Sequence, residues 1–416
     1  MHTIEDQAAI SHSPWSLRLS RFLPVASFGQ QFWNFFLASL FFDLGMFVFA
    51  FLYNLYLLDR GLTEKTMGWI AGAASLGTML ATIPAGLLAR KIGLKNALLS
   101  CFVAIPLLSA VRALVPGEVA LVSLALIGGG VFALWAVSLP PTVAGLTTES
   151  NRSVGFSLVF ALGIGSGILG GYLGGHLPSW CSFLKPGSPA ELKQFSLLLS
   201  CLFVLVGVLP CRRLVIANTA PASSTTTFPA SRYLWRFLPP IAAWSFGLGV
   251  VSPFLSVYLT KNMHLALPQI GNMFSLSQFL QMLSVLAAPR IFRRYGTLST
   301  VTLSQVATSI SLLGFASFLA GPWMILSFST YSLFQYMNEP GVYTLLMNNV
   351  GPEEQSSAAA WNFFVICAAQ SAAALIAGVL IARLGYSTIL SLAAALMAVS
   401  GVALYFSVRQ RDPLLR

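Results

Sequence analysis

Charged side chains are scarce in this sequence: Asp, Glu, Lys and Arg together make up 8% of the 416 residues, while 56% of the residues are hydrophobic. Roughly a quarter of the residues of a soluble globular domain are charged. A soluble protein of this length needs those residues to cover its surface, so their scarcity excludes that class. The composition predicts a protein whose outer surface is covered by lipid.

The sequence also lacks the residue clusters that metal sites and most enzymes need. Five cysteines are an odd number with no Cys-x-x-Cys pair, so neither a disulfide framework nor a zinc site is predicted. The four histidines are dispersed, which disfavours a membrane-embedded enzyme such as a lipid transferase. No Gly-x-x-x-x-Gly-Lys-Ser/Thr sequence is present, which disfavours ATP-driven transport. We therefore expect no enzymatic activity, no metal and no cofactor.

The net charge of +11 comes from short Lys and Arg clusters that lie beside apolar runs, a pattern typical of cytoplasmic loops. Placing both termini in the cytoplasm puts 16 of the 23 Lys and Arg residues on that face and 7 on the other. The count predicts a multi-pass protein, in a bacterial inner (plasma) membrane, with both termini cytoplasmic. It gives no reason to expect a nucleic-acid partner.

Apolar stretches of about 20 residues, each long enough to cross a bilayer as a helix, occur twelve times. The predicted spans are 33–57, 67–88, 94–115, 119–145, 154–176, 194–211, 237–260, 268–288, 298–320, 323–347, 358–382 and 388–408. A polar stretch rich in Ser, Thr and Pro divides them into two sets of six and predicts a flexible connector. The expected organisation is therefore an N-terminal cytoplasmic or interfacial segment (1–32), a six-helix bundle (33–213), a cytoplasmic linker (214–236), a second six-helix bundle (237–408) and a cytoplasmic tail (409–416).

The two sets of spans contain an internal repeat. Gly68 and Gly93 are 25 residues apart, as are Gly271 and Gly296, and the offset between the two pairs is 203 residues. In both halves the second glycine follows two basic residues, so each stretch ends in a predicted basic turn. This shared spacing indicates two duplicated halves, an architecture typical of transporters.

The loop between the second and third spans resembles the corresponding loop of the major facilitator superfamily, which runs Gly-x-x-x-Asp-Arg/Lys-x-Gly-Arg/Lys-Arg/Lys. Here Gly86, Arg90, Lys91, Gly93 and Lys95 occupy that frame, with Arg90 at the position of the family's acidic residue. The resemblance implies an all-α membrane protein of the twelve-helix type, built from two pseudo-symmetric six-helix bundles. It also implies that the first and tenth spans line a central cavity.

Ten of the twelve acidic residues lie at termini, in loops or at span ends, and two lie inside predicted spans. These two are Asp43 in the first span and Glu339 in the tenth, at similar depths from the cytoplasmic side. An ionisable group at that depth costs several kcal/mol unless it is neutralised, paired or open to a water-filled cavity. We therefore predict that Asp43 and Glu339 bind a proton or the substrate, although hydrogen bonding of a protonated acid to a neighbour such as Asn54 or Asn338 is the alternative.

No Lys or Arg lies in the middle of a predicted span, which disfavours an anionic substrate because such a substrate needs a buried cation. A neutral or cationic small solute fits better. The further candidates for the cavity wall are amide or aromatic side chains, although for any single aromatic residue lipid contact or helix packing is an alternative. They are Asn54, Tyr53, Trp135, Gln278, Gln281, Tyr336, Asn338, Trp361, Asn362 and Gln370.

Two further patterns concern helix packing. Gly163, Gly167, Gly171 and Gly175 recur every four residues in the fifth span, which predicts a smooth face that a second helix can approach closely. The prolines of the Asn338–Gly341 segment and of the Pro140–Pro141 pair predict breaks or kinks at corresponding places in the two halves.

These features together predict a secondary active transporter that works by alternating access and is coupled to protons. The expected partners are a small-molecule substrate, a proton and membrane lipids, and we expect a monomer. A lipid-handling protein of the scramblase or flippase kind, or a sensor, built on the same fold is the alternative.

Overall fold

The computed structural model describes residues 28–148, 151–184, 186–216, 232–317, 321–351 and 354–409. These residues form helices, and no strand occurs among them. In chain order the helices are α1 (Gln30–Asp59), α2 (Glu64–Ile92), α3 (Leu94–Leu114), α4 (Glu118–Gly145), α5 (Arg152–Leu184), α6 (Pro189–Val206), α7 (Val208–Arg212), α8 (Arg232–Val251), α9 (Leu255–Lys261), α10 (Leu267–Tyr295), α11 (Thr297–Ala316), α12 (Pro322–Asn348), α13 (Gln355–Leu384) and α14 (Tyr386–Val408). Most of the predicted N-terminal segment, linker and tail lies outside the described residues.

Every predicted span coincides with a helix, or with a helix and a short continuation of it. Among the described residues, eleven helical segments are long and apolar enough to cross a membrane, counting α6 with α7 and α8 with α9 as single segments. The remaining segment, α12, has 27 residues and is therefore about 40 Å long, which exceeds the roughly 30 Å of the hydrocarbon layer. It is less apolar because it carries Gln335, Asn338 and Glu339 in its interior.

The helices form an N half (α1–α7) and a C half (α8–α14), which meet at one end of the molecule. We call the end with Gln30, Arg212 and Arg232 the linker face, and the end with Glu64 and Lys261 the opposite face. One buried hydrophobic cluster takes residues from both halves, including Leu57 and Met67 of the N half. Two other clusters, nearer the linker face, each belong to one half alone. The halves therefore share a core only toward the opposite face.

The repeated glycines form equivalent joints in the two halves. Gly93 alone separates α2 from α3, and Gly296 alone separates α10 from α11, with φ angles of 83° and 81°. L-residues with a side chain rarely adopt this backbone conformation, so glycine is required at both joints. Arg90 and Lys91 lie in the last turn of α2. The predicted basic turn is thus the last turn of a helix followed by a one-residue joint. The glycine alone reverses the direction of the chain between the two helices.

The prolines that were predicted to break or kink their helices do not interrupt them. Pro340 lies within the continuous helix α12, and Pro140 and Pro141 lie within α4. In these helices the chain keeps its helical conformation through the proline, as neighbouring helices permit in membrane proteins. The interruption occurs instead between α8 and α9, where Ser252–Phe254 forms a 3₁₀ turn.

Candidate functional site

Two helix pairs, α2 with α13 and α5 with α10, form the main contacts between the halves. On the first seam, the close neighbours of Gly68 are the backbones of Ala374 and Gly378. On the second, Gly271 packs against the backbones of Gly171 and Gly175, and a Cβ on Gly271 would lie 2.7 Å from the Gly175 Cα. The two glycines related by the 203-residue offset thus occupy equivalent seams. Of the four glycines of the predicted smooth face, Gly167, Gly171 and Gly175 contact the other half, and Gly163 faces α1 of the N half.

Polar contacts reinforce these seams and extend toward the middle of the molecule. The Ser371 hydroxyl donates to the Gly72 carbonyl and the Ser275 hydroxyl donates to the Ile168 carbonyl, each at 2.8 Å. The Asn54 amide donates at 2.5 Å to the carbonyl of Pro253, in the 3₁₀ turn. Because each of these bonds joins the two halves, they hold the opposite face closed.

An ion pair also joins the halves at the opposite face. The Glu64 carboxylate, at the start of α2, lies 2.5 Å from Lys261 Nζ at the end of α9, and it accepts a hydrogen bond of 3.1 Å from the Tyr386 hydroxyl. Glu64 is only 8% exposed. The sequence placed Glu64 and Lys261 at span ends but gave no indication that they pair, because their pairing depends on the packing of two halves that are far apart in sequence.

Below this closure lies a central cavity of about 270 Å³ whose wall comes from both halves. The N half contributes Asn54 together with Phe47, Phe51 and the glycine face of α5. The C half contributes several amide and hydroxyl groups. They are Ser252, Ser256, Ser277, Gln278, Gln281, Tyr331, Ser332, Gln335 and Tyr336. The wall is therefore apolar on one side and rich in hydrogen-bonding groups on the other, as in a site for a small polar solute.

A second cavity of about 240 Å³ lies within the C half and shares Gln335 and Tyr336 with the first. We call it the C-half cavity. Its wall combines one acid with amide, hydroxyl and aromatic side chains. They are Glu339, Asn338, Asn362, Gln370, Ser245, Trp244 and Tyr343. Glu339 is exposed although it lies nine residues, about 14 Å, from the linker-face end of α12. The halves share a core only toward the closed opposite face among the described residues, so the central cavity lies where the halves separate toward the linker face.

Asp43 lies elsewhere, between two helices of the N half. It is half-buried near the middle of α1, and a Cβ on Gly163 of α5 would lie 3.9 Å from its carboxylate. One helical turn further along α5, Gly167 contacts the Gln278 side chain of the C half. Asp43 is thus one turn from the inter-half seam. Neither Asp43 nor Glu339 takes part in the ion pairs found among the described residues, Lys193–Asp59 and Lys261–Glu64.

Three predicted cavity residues line neither cavity. Trp135 packs in the core of the N half against Phe42, with ring centroids 4.5 Å apart. Tyr53 is buried beneath the Arg112 guanidinium, which lies 4.4 Å from its ring centroid. Trp361 packs against the hydrophobic cluster of the C half. Large aromatic side chains fill the cores of helical bundles, and nothing in their sequence spacing distinguishes that role from a place in a cavity wall.

The two glycines of the motif between the second and third spans have different surroundings in the structure. Gly93 has the positive φ described above, whereas a Cβ on Gly86 would meet no atom within 4 Å. A close helix approach at Gly86 is therefore not present here, because the halves are apart at the linker face. Arg90 and Lys91 are exposed, and Lys95 is half-buried.

A leucine at Gly175 should force the second seam apart. Its Cβ would lie 2.9 Å from the Gly271 Cα, on a helix backbone that has no freedom to move aside. The expected result is a longer distance between spin labels at Trp180 and Ala266, measured by pulsed electron paramagnetic resonance. Gly165 is the matched control because a Cβ there meets nothing within 4 Å. An unchanged distance in the Gly175→Leu variant would contradict this account of the seam.

Comparison with known proteins identifies a family and several similar structures. The family model described as Major Facilitator Superfamily matches residues 35–374 and 241–415. No curated protein sequence matches the chain. The structure is similar to that of a mutant of the nucleoside transporter NupG, with a TM-score of 0.74, 16% identity and coverage of 91% of this chain and 100% of that one.

The structure is also similar to that of a D-xylose-proton symporter, with a TM-score of 0.71, 14% identity and coverage of 91% of this chain and 97% of that one. A third similar structure is the inward open xylose transporter XylE from E. coli, with a TM-score of 0.69, 13% identity and coverage of 91% of this chain and 95% of that one. At these identities the structural likeness establishes the fold, and the family match extends over most of the sequence. The chain belongs to the major facilitator superfamily.

Proposed function

We propose that this protein is a secondary active transporter that moves a small neutral or cationic solute by alternating access and couples that movement to protons. The linker face is cytoplasmic in this proposal, because the Lys and Arg residues are concentrated on that side. The structure then corresponds to an inward-open state. A monomer contains both halves of the cavity wall and suffices for this cycle.

The observation that carries the proposal is the central cavity. It lies between the halves, its wall includes amide groups from both of them, and it is closed from the opposite face by Asn54, the two seams and the Glu64–Lys261 pair. A solute bound there contacts both halves, so its binding free energy depends on how the halves are arranged. That dependence is what alternating access requires.

The walls of the two cavities favour an uncharged or positively charged solute. Among the described residues that line them, no Lys or Arg is present, and one acid, Glu339, is. An anion in this environment would lose its hydration without gaining a counter-ion. Two of the similar structures are a nucleoside transporter and a D-xylose-proton symporter, and nucleosides and xylose are uncharged polar solutes.

Asp43 and Glu339 are the candidates for binding the coupling proton or the substrate. A carboxyl group that binds a proton in one arrangement of the halves and releases it in the other links the two movements. Asp43 lies one helical turn from the inter-half seam, and Glu339 lies in the C-half cavity, so the surroundings of each change when the halves move.

Proteoliposomes test the proposal. A thermal-shift screen of the purified protein against metabolites and drugs at two pH values first identifies stabilising solutes. Adding such a solute outside liposomes that contain a pH-sensitive dye should change the luminal pH, and liposomes without protein should show no change. Movement of labelled lipid in the absence of solute, without any solute-dependent pH change, would contradict the proposal and favour a lipid-handling protein.

A further inference from the structure

We infer that the C-half cavity binds the protonated amine of the solute, with Glu339 as the counter-ion and Asn362 as the partner of a neighbouring polar group. This inference rests on the proposed function and narrows its substrate class from small neutral or cationic solutes to amines. It also separates the roles of the two acids that lie within membrane-spanning helices: Glu339 binds the substrate, and Asp43 binds the proton.

Asn362 provides the first argument. Its side chain is 0% exposed and lies in the wall of the cavity, and neither its amide nitrogen nor its carbonyl oxygen has a hydrogen-bond partner in the described structure. A buried polar group without a partner costs about 1–3 kcal/mol. Two such atoms on one side chain, beside a cavity, indicate that a ligand provides the missing donor and acceptor.

Glu339 provides the second argument. Glu339 lines the same cavity, is exposed, and has no ion-pair partner among the described residues. The aromatic side chains of Trp244, Tyr336 and Tyr343 lie in the wall around it. A carboxylate together with aromatic faces is the combination that binds an organic ammonium group, because both attract positive charge.

The location of the two acids provides the third argument. Every residue that lines the C-half cavity belongs to α8, α12, α13 or the adjoining 3₁₀ turn, so an amine bound there is held by one half alone. Asp43 lines neither cavity and lies against α5 in the N half. Substrate charge and coupling proton therefore have separate sites, and each is tested by its own substitution.

Three probes that share a 4-hydroxyphenyl group but differ in charge provide the test. Tyramine carries an ammonium group at neutral pH, tyrosol has a neutral hydroxyl group in its place, and 4-hydroxyphenylacetate ends in a negatively charged carboxylate. We expect calorimetry on the purified full chain to show tyramine binding at least about tenfold more tightly than tyrosol, a difference of about 1.4 kcal/mol, and no binding of the anion. The Glu339→Gln variant should bind tyramine no better than tyrosol. Glu339→Asp should recover part of the difference, and Glu118→Gln, at an exposed acid remote from both cavities, should leave it unchanged.

Asn362→Leu separates a binding role from a structural one. Leucine has a similar size and no polar atoms, so this variant should melt at or above the temperature of the wild type while tyramine and tyrosol both bind more weakly. A lower melting temperature with unchanged affinity would make Asn362 structural and overturn its assignment.

Absence of tyramine binding to the wild type, or equal affinity for tyramine and tyrosol, would overturn the amine site. The proteoliposome experiment distinguishes this result from failure of the proposed function. A neutral solute that drives a luminal pH change would leave the transporter intact and discard only the amine.

Discussion

Glu64→Gln should open the opposite face of the protein. The substitution keeps the size of the side chain but removes the charge that binds Lys261, and it weakens the bond from Tyr386, which is itself buried. Hydrogen bonds to charged groups contribute about 1.5–3 kcal/mol. Because Lys261 is 42% exposed on its side chain and can regain water, we expect the lower part of this range. The fraction of molecules open at this face should then rise by about tenfold.

Spin labels at Trp180 and Ala266 measure this change as growth of a long-distance component in the distance distribution. Asp59→Asn is the matched control, since it breaks the Lys193–Asp59 pair of 2.6 Å, which lies at the same face but within the N half. Equal effects of the two variants would mean that the Glu64 pair contributes only general stability. A larger effect of Glu64→Gln alone supports its role in holding the halves together.

Asp43→Asn should separate solute movement from proton movement. Asparagine has the shape of the protonated acid and does not titrate, so the variant is held in the equivalent of its proton-bound form. A pH difference of one unit provides about 1.4 kcal/mol per proton, which supports about tenfold accumulation of solute. In proteoliposomes with such a gradient, the wild type should accumulate solute to about that ratio. The variant should equilibrate it to a ratio of about one.

Solute exchange is the control for this experiment. Asp43 lines neither cavity, so exchange of labelled for unlabelled solute at equal pH should persist in the variant. Accumulation that survives in Asp43→Asn would remove this residue from the coupling mechanism. Loss of both accumulation and exchange would indicate that Asp43 supports the packing of α1 against α5, and the melting temperature of the variant would then fall as well.

The helices were predictable because the bilayer imposes a length. Within the described residues, each of the twelve apolar runs corresponds to one helix or to a helix and its short continuation, and the polar interior of α12 was visible in the sequence as Asn338 and Glu339. The repeat was also informative. Gly93 and Gly296 have the same unusual backbone conformation, and Gly68 and Gly271 lie on equivalent seams, because the duplicated halves pack in the same way.

The details of the site were less accessible to sequence reasoning. Asn54 and Tyr53 are adjacent in sequence, yet only Asn54 faces the cavity, because consecutive residues of a helix point about 100° apart and the rotation of α1 is set by its neighbours. The pairing of Glu64 with Lys261 depends on contacts between residues 197 positions apart. The 3₁₀ turn at Ser252–Phe254 was not predicted either, although Pro253 was visible within the span.

The one-residue joints at Gly93, Gly296 and Gly385 constrain how this protein moves. A single residue between two long helices leaves no spare chain, so neither helix of the pair is able to tilt or slide far without carrying the other with it. The joint lies at the linker face for α2 with α3 and for α10 with α11, and at the opposite face for α13 with α14. We therefore expect each of these joined helix pairs to move as one unit when the halves rearrange.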